Sequence, residues 1–449
     1  MKIFVLVLPE IGHINPVNGI VKELVHKKNC DVIFYGRHDQ RELIESTGAK
    51  FREYKFYEDG NTALKPLKED PFTNDIPLFI NLINLSYNEI PCLIKDIEID
   101  RPDLIIFDQL SMPAKYLLKV MEQNFREKKT SLPAPASVQI FTTFPSFEIF
   151  ADKQEYKKYM LQPTGIFFRF NKYLLTLKQK KFCNHFGIDC LDPYELCENF
   201  QSKLNIVTFI PEIQPFKEFL SPTFKFVGIC ADENYQQKKQ IDSKLKEILE
   251  KTDPVNPNYQ NIETRFNLIY VSLGTVFNNN IFVFDCVIET IKQLNEVSKN
   301  LIVVLAVGND NLNIYQKQID QGFKVPENIL LMTFVPQIEL LKRAKLFITH
   351  CGMNSSSEAI HYGVPIIGIP IKADQPILAH IMCNELKLGI HLDALSITTD
   401  NLQDAILKIF QDQSFSIKAK ELSLISRNYK GSSVAAELIY NFINTEQKS

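Results

Sequence analysis

The sequence predicts an α/β protein made of two doubly wound domains, each with a parallel sheet covered by helices. Three observations indicate this class. Short apolar runs that suit buried strands alternate with segments of helical periodicity along most of the chain. The opening segment follows the order strand, turn, amphipathic helix, strand. The length of 449 residues is enough for two or three domains, each with its own core.

The composition is that of an ordinary globular protein, with 45% apolar and 23% charged residues. The formal net charge of −3 provides no electrostatic footprint for nucleic acid or for an anionic membrane. The nine cysteines form no C-x-x-C pair, so we predict neither a metal site nor a disulfide framework, and we expect a reducing, cytoplasmic location. No apolar run approaches the ~20 residues that cross a bilayer, and the apolar start is expected to be a strand rather than a signal peptide.

The first domain is predicted over residues 1–230. Its strands are expected at 3–8, 31–35, 103–107, 137–141, 204–209 and 224–229. A turn containing His13 follows the first strand, and Asn15 is expected to cap the next helix with Pro16 in its first position. Ligands of doubly wound sheets bind at the carboxyl ends of strands, so His13 marks a candidate site. The phenylalanines between Phe141 and Phe170 are expected to pack in the core, and some could line an apolar pocket.

A polar, proline-containing segment, 231–262, is predicted to link this domain to a second one over 263–430. Within it, residues 237–251 have the pattern of an exposed helix. The strands of the second domain are expected at 267–273, 301–307, 329–333, 345–349 and 364–369. The remaining segment, 431–449, carries a helical apolar pattern.

The segment 334–375 carries the strongest chemical signal. A buried strand ends at His350, and a helix capped by Asn354 or Ser355 follows it. The free N–H groups and the positive dipole end of that helix favour an anion, and Gly352 lets a ligand approach the backbone. His350 can donate a hydrogen bond to a phosphate oxygen. The pattern therefore predicts a phosphate site at this helix end.

Acidic residues further along the same segment predict sugar contacts. Glu358 lies one helical turn beyond the phosphate site, where it would repel phosphate but can accept two hydrogen bonds from a sugar diol. A phosphate followed by a ribose is the order found in a nucleotide. Asp374 and Gln375, after the next strand, could hold the hydroxyls of a second sugar. We therefore predict a nucleotide-sugar site.

The order of these elements resembles the signature of the UDP-dependent glycosyltransferases. The matching residues are Phe334, Pro336 and Gln337, then His350, Cys351, Gly352, Asn354, Ser355 and Glu358, then Gly363, Val364 and Pro365, and finally Asp374 and Gln375. The resemblance implies a GT-B fold, in which two doubly wound Rossmann-like domains face each other across a cleft. It implies an N-terminal acceptor-binding domain and a C-terminal UDP-sugar-binding domain. It also implies that the final helix, 431–449, packs back on the N-terminal domain.

The resemblance also implies roles for individual residues. Phe334 would stack on uracil, and Val335 lies in the same turn. Gln337 and Glu358 would hold ribose hydroxyls, and Asp374 and Gln375 would contact the transferred sugar. The residues that would contact the diphosphate are His350, Gly352, Asn354 and Ser355, together with Ser272 and Thr275 from an earlier loop. Most family members have Trp at the position of Phe334, and several have it at Met353, whereas this chain contains no Trp. The family's chemistry needs no metal and no cofactor beyond the UDP-sugar.

The same resemblance makes His13 the general base for the acceptor hydroxyl and Asp108 its acidic partner. The implied reaction is inverting transfer of a hexose to a small hydroxylated, largely apolar acceptor, with UDP-glucose as the first donor because of Gln375. The resemblance is to soluble members without a membrane anchor. One alternative is a nucleotide-sugar-binding protein that has lost catalysis, which the missing Trp residues would fit. Another is a nucleotide-sugar epimerase of the same architecture, which His13 and the signature fit less well.

Overall fold

The computed structural model describes residues 1–56, 76–145, 166–190, 202–231, 242–253, 255–256, 266–275, 280–295 and 300–446. The chain divides into two compact units. The first unit comprises Met1–Asp232 together with Tyr429–Ser449, and the second comprises Glu233–Asn428. Each unit is built on a parallel β-sheet, which confirms the predicted α/β class. In the ranges described, no helix has both the length and the apolar character needed to cross a membrane.

Thirteen strands form the two sheets in the described parts of the chain. They are β1 (Lys2–Leu6), β2 (Asp31–Gly36), β3 (Lys50–Glu53), β4 (Leu104–Asp108), β5 (Ala136–Phe141), β6 (Leu204–Val207), β7 (Phe224–Phe226), β8 (Asn267–Ser272), β9 (Leu301–Ala306), β10 (Ile329–Met332), β11 (Leu346–Thr349), β12 (Ile366–Gly368) and β13 (Gly389–His391). Every run that the sequence predicted as a strand contains one. The short strands β3 and β13 were not predicted.

The helices lie between the strands. They are α1 (Ile11–Lys28), α2 (Arg41–Glu45), α3 (Ile76–Asp100), α4 (Met112–Arg126), α5 (Ile166–Phe186), α6 (Ser243–Lys251), α7 (Ile281–Asn295), α8 (Gly308–Asp320), α9 (Gln337–Leu341), α10 (Met353–Tyr362), α11 (Gln375–His380), α12 (Thr399–Gln411), α13 (Gln413–Asn428) and α14 (Ser432–Glu446). A single π-helical turn, Ile381–Glu385, continues α11.

The sheet of the first unit has the order β3-β2-β1-β4-β5-β6-β7, and all its pairings are parallel. The order reverses between β1 and β4, which are neighbours in the sheet although α1 to α3 separate them in the chain. Residues Ile3 to Leu6 of β1 are fully buried, as expected for a central strand with helices on both faces. The crevice at such a reversal is where doubly wound sheets bind their ligands.

Helix α1 begins earlier than the sequence indicates. Its N-cap is Glu10, whose carbonyl accepts the N–H groups of His13 and Ile14 at 2.9 Å. His13 therefore lies in the first helical turn rather than in a preceding turn, and the predicted cap at Asn15 is wrong. Pro16 sits inside the helix. There it cannot donate the backbone hydrogen bond that other interior helical residues make to the carbonyl four residues earlier.

The last helix, α14, belongs to the first unit and packs against α1. Lys28 of α1 pairs with Glu437 of α14, and Lys203, just before β6, pairs with Glu446 at 2.7 Å. Gly19 of α1 is buried at this junction. A Cβ on Gly19 would lie well inside van der Waals distance of the Cys230 carbonyl oxygen and of the Ser432 hydroxyl. Glycine therefore permits the close approach of α1 to the segment that leads into α14.

The sheet of the second unit has the order β10-β9-β8-β11-β12-β13, again wholly parallel. Its core consists of fully buried aliphatic residues of β8, β9 and β11 packed on α7 and α12. The order reverses between β8 and β11, which pair from Leu346↔Ile269 to Thr349↔Ser272. The loops after these two strands therefore start side by side.

Two predictions concern stretches that the structure describes only in part. Of the predicted linker 231–262, residues 231, 242–253 and 255–256 are described, and α6 falls within them. Phe141 and Phe144 are buried in the first unit, as predicted. Phe147 and Phe150, and the side chains of Phe167, Phe168 and Phe170, lie outside what the structure describes.

Replacement of Gly19 by alanine tests the junction of α1 and α14. In an open helix this change stabilises by up to about 1 kcal/mol. Here the added methyl group meets a backbone carbonyl, so we expect a loss of about 1–3 kcal/mol in the free energy of unfolding. Urea unfolding followed by circular dichroism measures it. Lys27→Ala, on the exposed face of the same helix, is the control and should change stability by less than about 0.5 kcal/mol. A gain in stability for Gly19→Ala would contradict the packing described.

Candidate active site

The first unit brings His13 and Asp108 together, although 95 positions separate them in the chain. Nδ1 of His13 hydrogen bonds with Oδ2 of Asp108. The carboxylate is fully buried, and its Oδ1 accepts the Leu8 N–H at 3.3 Å. The His13 side chain retains 17% exposure. A carboxylate at Nδ1 favours the tautomer with its proton on that nitrogen, which leaves a lone pair on Nε2. The pair has the geometry of an oriented general base.

This pairing follows from the fold. Asp108 is the last residue of β4, and His13 is in the helical turn that follows β1, the neighbouring strand. Glu10, the residue before α1, forms an ion pair with Arg37 at 3.0 Å. Burial raises the pKa of Glu10, against the opposing effects of Arg37 and His13. The imidazole therefore interacts electrostatically with two acidic residues, Asp108 and Glu10.

Thr142 is a further polar residue at this edge that the sequence analysis missed. It directly follows β5, and its Oγ1 lies 3.3 Å from Nδ1 of His13. The Gln109 side chain holds Thr142 in place, because it accepts a hydrogen bond from the Thr142 backbone N–H and donates one to the Thr142 hydroxyl. A signal was present in the sequence, since a polar residue, Asp108 or Thr142, stands at the end of each of the two apolar runs that form β4 and β5.

In the second unit, the loop between β11 and α10 has the predicted strand–loop–helix form. Cys351 has a left-handed φ of 61°, and Gly352 is the N-cap of α10. The prediction that Asn354 or Ser355 caps this helix is wrong. The Gly352 carbonyl accepts the Ser356 N–H at 2.9 Å, so the helix starts earlier and both predicted caps lie in its first turn. Their side chains are consequently not used as the N-cap.

The ring of His350 fits between two glycines. A Cβ on either Gly274, after β8, or Gly352, after His350 itself, would lie 2.5 Å from Nε2 of His350. The adjacent Ser272 hydroxyl accepts the Gly274 N–H at 3.4 Å, and Thr275 is exposed in the same loop. Burial lowers the pKa of His350 to about 4, so the ring is neutral at pH 7. His350 can therefore offer a phosphate a hydrogen bond but not a positive charge.

Glu358 belongs to a buried hydrogen-bond network at the base of this loop. The Gln337 amide donates through Nε2 to Oε2 of Glu358 at 2.6 Å and to the Ser355 hydroxyl at 3.3 Å. Its Oε1 accepts the Tyr270 hydroxyl at 2.9 Å. Burial raises the pKa of Glu358 to about 7, although the hydrogen bond from Gln337 lowers it. Tyr270 was not predicted, but a tyrosine in a buried strand requires a partner for its hydroxyl.

The other predicted donor residues differ in accessibility. Phe334 is 51% exposed, whereas the Val335 side chain is buried. Asp374 is the residue before α11 and is partly exposed. Gln375 is buried, and its Oε1 accepts the N–H groups of Ile371 and Lys372 at 2.8 and 3.0 Å. Only the amide nitrogen of Gln375 is thus left for a sugar hydroxyl.

Comparison with known proteins identifies the class. Residues 306–430 match the family described as UDP-glucoronosyl and UDP-glucosyl transferase. An uncharacterized UDP-glucosyltransferase, YojK of Bacillus subtilis, is 25% identical over 453 aligned positions that span 100% of this chain and 99% of the relative. The NDP-glycosyltransferase YjiC of Bacillus licheniformis is 26% identical over 97% of this chain and 96% of its own length.

Solved structures support the fold. The glycotransferase of kitacinnamycin superposes with a TM-score of 0.71 at 22% identity, covering 98% of each chain. The calicheamicin glycosyltransferase CalG4 superposes with a TM-score of 0.69 at 19% identity, covering 99% of this chain and 98% of its own. These findings confirm two predictions from the sequence: the resemblance to UDP-dependent glycosyltransferases and the GT-B type of fold. The chain is an enzyme, a glycosyltransferase related to the UDP-dependent glycosyltransferases, for which binding of a nucleotide-sugar donor is expected.

The raised pKa of Glu358 predicts a specific pH dependence of stability. A carboxyl group that binds its proton more tightly in the folded state destabilises the fold as the pH rises from its ordinary value of 4.5 through about 7. Glu358→Gln removes that titration and retains an acceptor for the Gln337 amide. We therefore expect the stability of this variant relative to wild type to be about 1–3 kcal/mol more favourable at pH 8 than at pH 5.

Urea unfolding at both pH values measures this difference. Glu327→Gln removes an exposed carboxylate elsewhere in the same unit and serves as the control for loss of one negative charge. A difference between Glu358→Gln and wild type that is the same at pH 5 and pH 8 would contradict the assigned burial of the carboxyl group.

Proposed function

We propose that this chain is an inverting UDP-sugar-dependent glycosyltransferase that transfers a hexose to a hydroxyl group of a small, largely apolar acceptor. Glucose is the first donor sugar to test. The observation that carries this proposal is the hydrogen-bonded pair of His13 and the fully buried Asp108 at the strand-order reversal of the first unit. A glycosyl transfer to a hydroxyl group requires a base of this kind.

In the proposed reaction, Nε2 of His13 takes the proton of the acceptor hydroxyl as its oxygen attacks the anomeric carbon. The new carbon–oxygen bond forms on the face opposite the diphosphate, and the bond from that carbon to the phosphate oxygen breaks. UDP leaves with the electron pair, and an α-linked donor becomes a β-glycoside. Asp108 keeps the imidazole in the required tautomer and stabilises its charged form, which the low dielectric around a buried carboxylate strengthens.

The donor is proposed to bind the second unit through neutral groups. The N–H groups of the first turn of α10 and the glycine-rich loop around His350 would hold the diphosphate, with Asn354, Ser355, Ser272 and Thr275 beside them. His350 would donate one hydrogen bond as a neutral ring. No step requires a metal or a further cofactor, and we infer a cytoplasmic location. Full activity in excess EDTA is the expected result.

The sugar contacts follow from which atoms are already occupied. Both N–H groups of Gln337 and its oxygen are engaged by Glu358, Ser355 and Tyr270, so we assign the ribose hydroxyls to Glu358 and a supporting role to Gln337. Gln375 would offer its amide nitrogen to the transferred sugar, and Asp374 its carboxylate. The name NDP-glycosyltransferase of the Bacillus licheniformis relative extends the donor panel to other nucleoside diphosphates.

A nucleotide-sugar-binding protein without catalysis is the second candidate. The observation that favours it is the replacement of the family's tryptophan by Phe334, together with Met353 at the other position. The bond between His13 and Asp108 favours an enzyme instead. Saturable UDP binding, without transfer from any nucleotide sugar to any acceptor, would support the binding protein.

Replacement of His13 by alanine tests the reaction. We expect transfer to be lost, with activity reduced by at least about 100-fold, because a positioned general base contributes 10²–10⁴-fold. UDP binding should be unchanged, since the donor residues lie in the other unit. UDP release from UDP-glucose is measured with a panel of phenols, sterols, flavonoids and macrolides. Asp108→Asn, which preserves the shape of the carboxylate, should also impair transfer and spare UDP binding. If His13→Ala still transfers the sugar, the assignment of His13 as the general base is wrong.

The exposed ring of Phe334 generates a prediction about the donor. Stacking of a base on an aromatic ring is worth about 1–3 kcal/mol, so Phe334→Ala should weaken UDP binding by about 5- to 100-fold. Phe334→Trp, which enlarges the stacking face, should tighten it. Phe282, exposed in the same unit, provides Phe282→Ala as the matched control. Isothermal titration with UDP measures the dissociation constants, and equal affinity of Phe334→Ala and wild type would contradict the stacking role.

A further inference from the structure

We infer that Thr142, held by Gln109 and anchored through Lys115, is a positioning residue for His13. The inference rests on the proposed function, because it concerns the base of that reaction. Thr142 Oγ1 lies 3.3 Å from Nδ1 of His13, the same nitrogen that faces Asp108. Nδ1 is thus placed between a carboxylate and a hydroxyl, and both can accept its proton in a hydrogen bond.

The hydroxyl is itself held in position. The Gln109 side chain accepts the Thr142 N–H through Oε1 at 3.0 Å, and its amide nitrogen lies 3.4 Å from Thr142 Oγ1. A single side chain therefore fixes both the backbone and the hydroxyl of Thr142. Both residues are about 5% exposed, so water does not replace these contacts. The Gln109 amide uses one of the two lone pairs of the hydroxyl oxygen, and because Asp108 keeps the proton on Nδ1 of His13, the second lone pair can accept from the imidazole.

Lys115 fixes the other side of this arrangement. It lies in the first turns of α4, its side chain is 0% exposed, and Nζ donates to the Gln109 carbonyl oxygen at 2.5 Å. A buried ammonium group is costly unless it is paired or hydrogen bonded. Here it anchors the carbonyl group of Gln109, the residue after Asp108. The same short turn thus positions both acceptors of Nδ1: Asp108 directly, and Thr142 through Gln109.

The consequence is a restriction on the base. Asp108 keeps the proton on Nδ1, and with two acceptors at that nitrogen the ring cannot rotate without losing both hydrogen bonds. Nε2 is therefore the nitrogen that takes the proton of the substrate hydroxyl. Among the described residues, the charged groups linked to His13 besides Asp108 are Glu10 from the turn before α1, Arg37, which pairs with Glu10, and Lys115, which donates to the Gln109 carbonyl. Thr142 adds no charge, so its removal leaves this electrostatic environment intact and tests position alone.

The experiment compares Thr142→Val, which removes the hydroxyl at nearly constant shape, with Thr142→Ser, which keeps it. For Thr142→Val we expect kcat about 3- to 10-fold lower, an unchanged KM for the donor, and an acid limb of the pH–rate profile moved to lower pH. Thr142→Ser should stay within about twofold of wild type. Thr47→Val is the matched control, because Thr47 is a fully buried threonine of the same unit whose hydroxyl bonds the Ile44 carbonyl.

A double-mutant cycle with Gln109→Met separates positioning from packing. If Gln109 acts on His13 through Thr142, the losses in kcat of the two single variants should not add in the double variant. Equal kcat and pH profiles for Thr142→Val and wild type would overturn the inference, and so would losses that are simply additive. Circular dichroism and urea unfolding of each variant verify that the first unit, which contains the substituted residues, is folded. Absence of transfer by the wild-type protein would instead overturn the proposed function, so the two failures are distinguishable.

Discussion

The reversal of strand order in each sheet is the constraint on which the candidate site depends. Neighbouring parallel strands whose connections leave toward opposite faces of the sheet must diverge at their carboxyl ends, and this opens a crevice there. In the first unit the reversal lies between β1 and β4, so Asp108 at the end of β4 and His13 in the helical turn after β1 can meet although the chain between them is long. In the second unit it lies between β8 and β11 and brings the Gly274 and His350 loops together.

Desolvation then decides how each group can act. Burial lowers the pKa of His350 to about 4 and raises that of Glu358 to about 7, so both groups are moved toward their neutral forms. The loop at the start of α10 is therefore suited to an anion through oriented N–H dipoles rather than through a cationic side chain. The first unit differs, because its carboxylate has a hydrogen-bonding imidazole beside it and also accepts the Leu8 N–H. A buried carboxylate so paired can stabilise a charge that appears only during reaction.

Most of the fold could be predicted from the sequence because buried parallel strands are continuous apolar runs. The strands that escaped prediction lack this property: β3 reads Lys-Phe-Arg-Glu at the sheet edge, and β13 has three residues. The helix starts at Glu10 and Gly352 were also misjudged. Asn15, Asn354 and Ser355 are better caps by preference, but the first backbone hydrogen bonds form earlier, at the Glu10 and Gly352 carbonyls. Tertiary context thus overrode a local preference of about 1 kcal/mol.

Motif residues were predictable as positions in the chain, but not as contacts. The resemblance assigns Gln337 to a ribose. In the structure, however, the Gln337 amide accepts a hydrogen bond from Tyr270 and donates to Ser355 and Glu358. The Gln375 oxygen is likewise engaged by its own loop. An amide that loses its partners must recover their free energy from the ligand, so direct contact of Gln337 with a sugar would cost binding free energy. In the proposed function, the hydrogen bond from Gln337 to Glu358 instead orients the carboxyl group for the donor. The motif position of Gln337 is thus explained by the group that it holds in place rather than by a ligand contact.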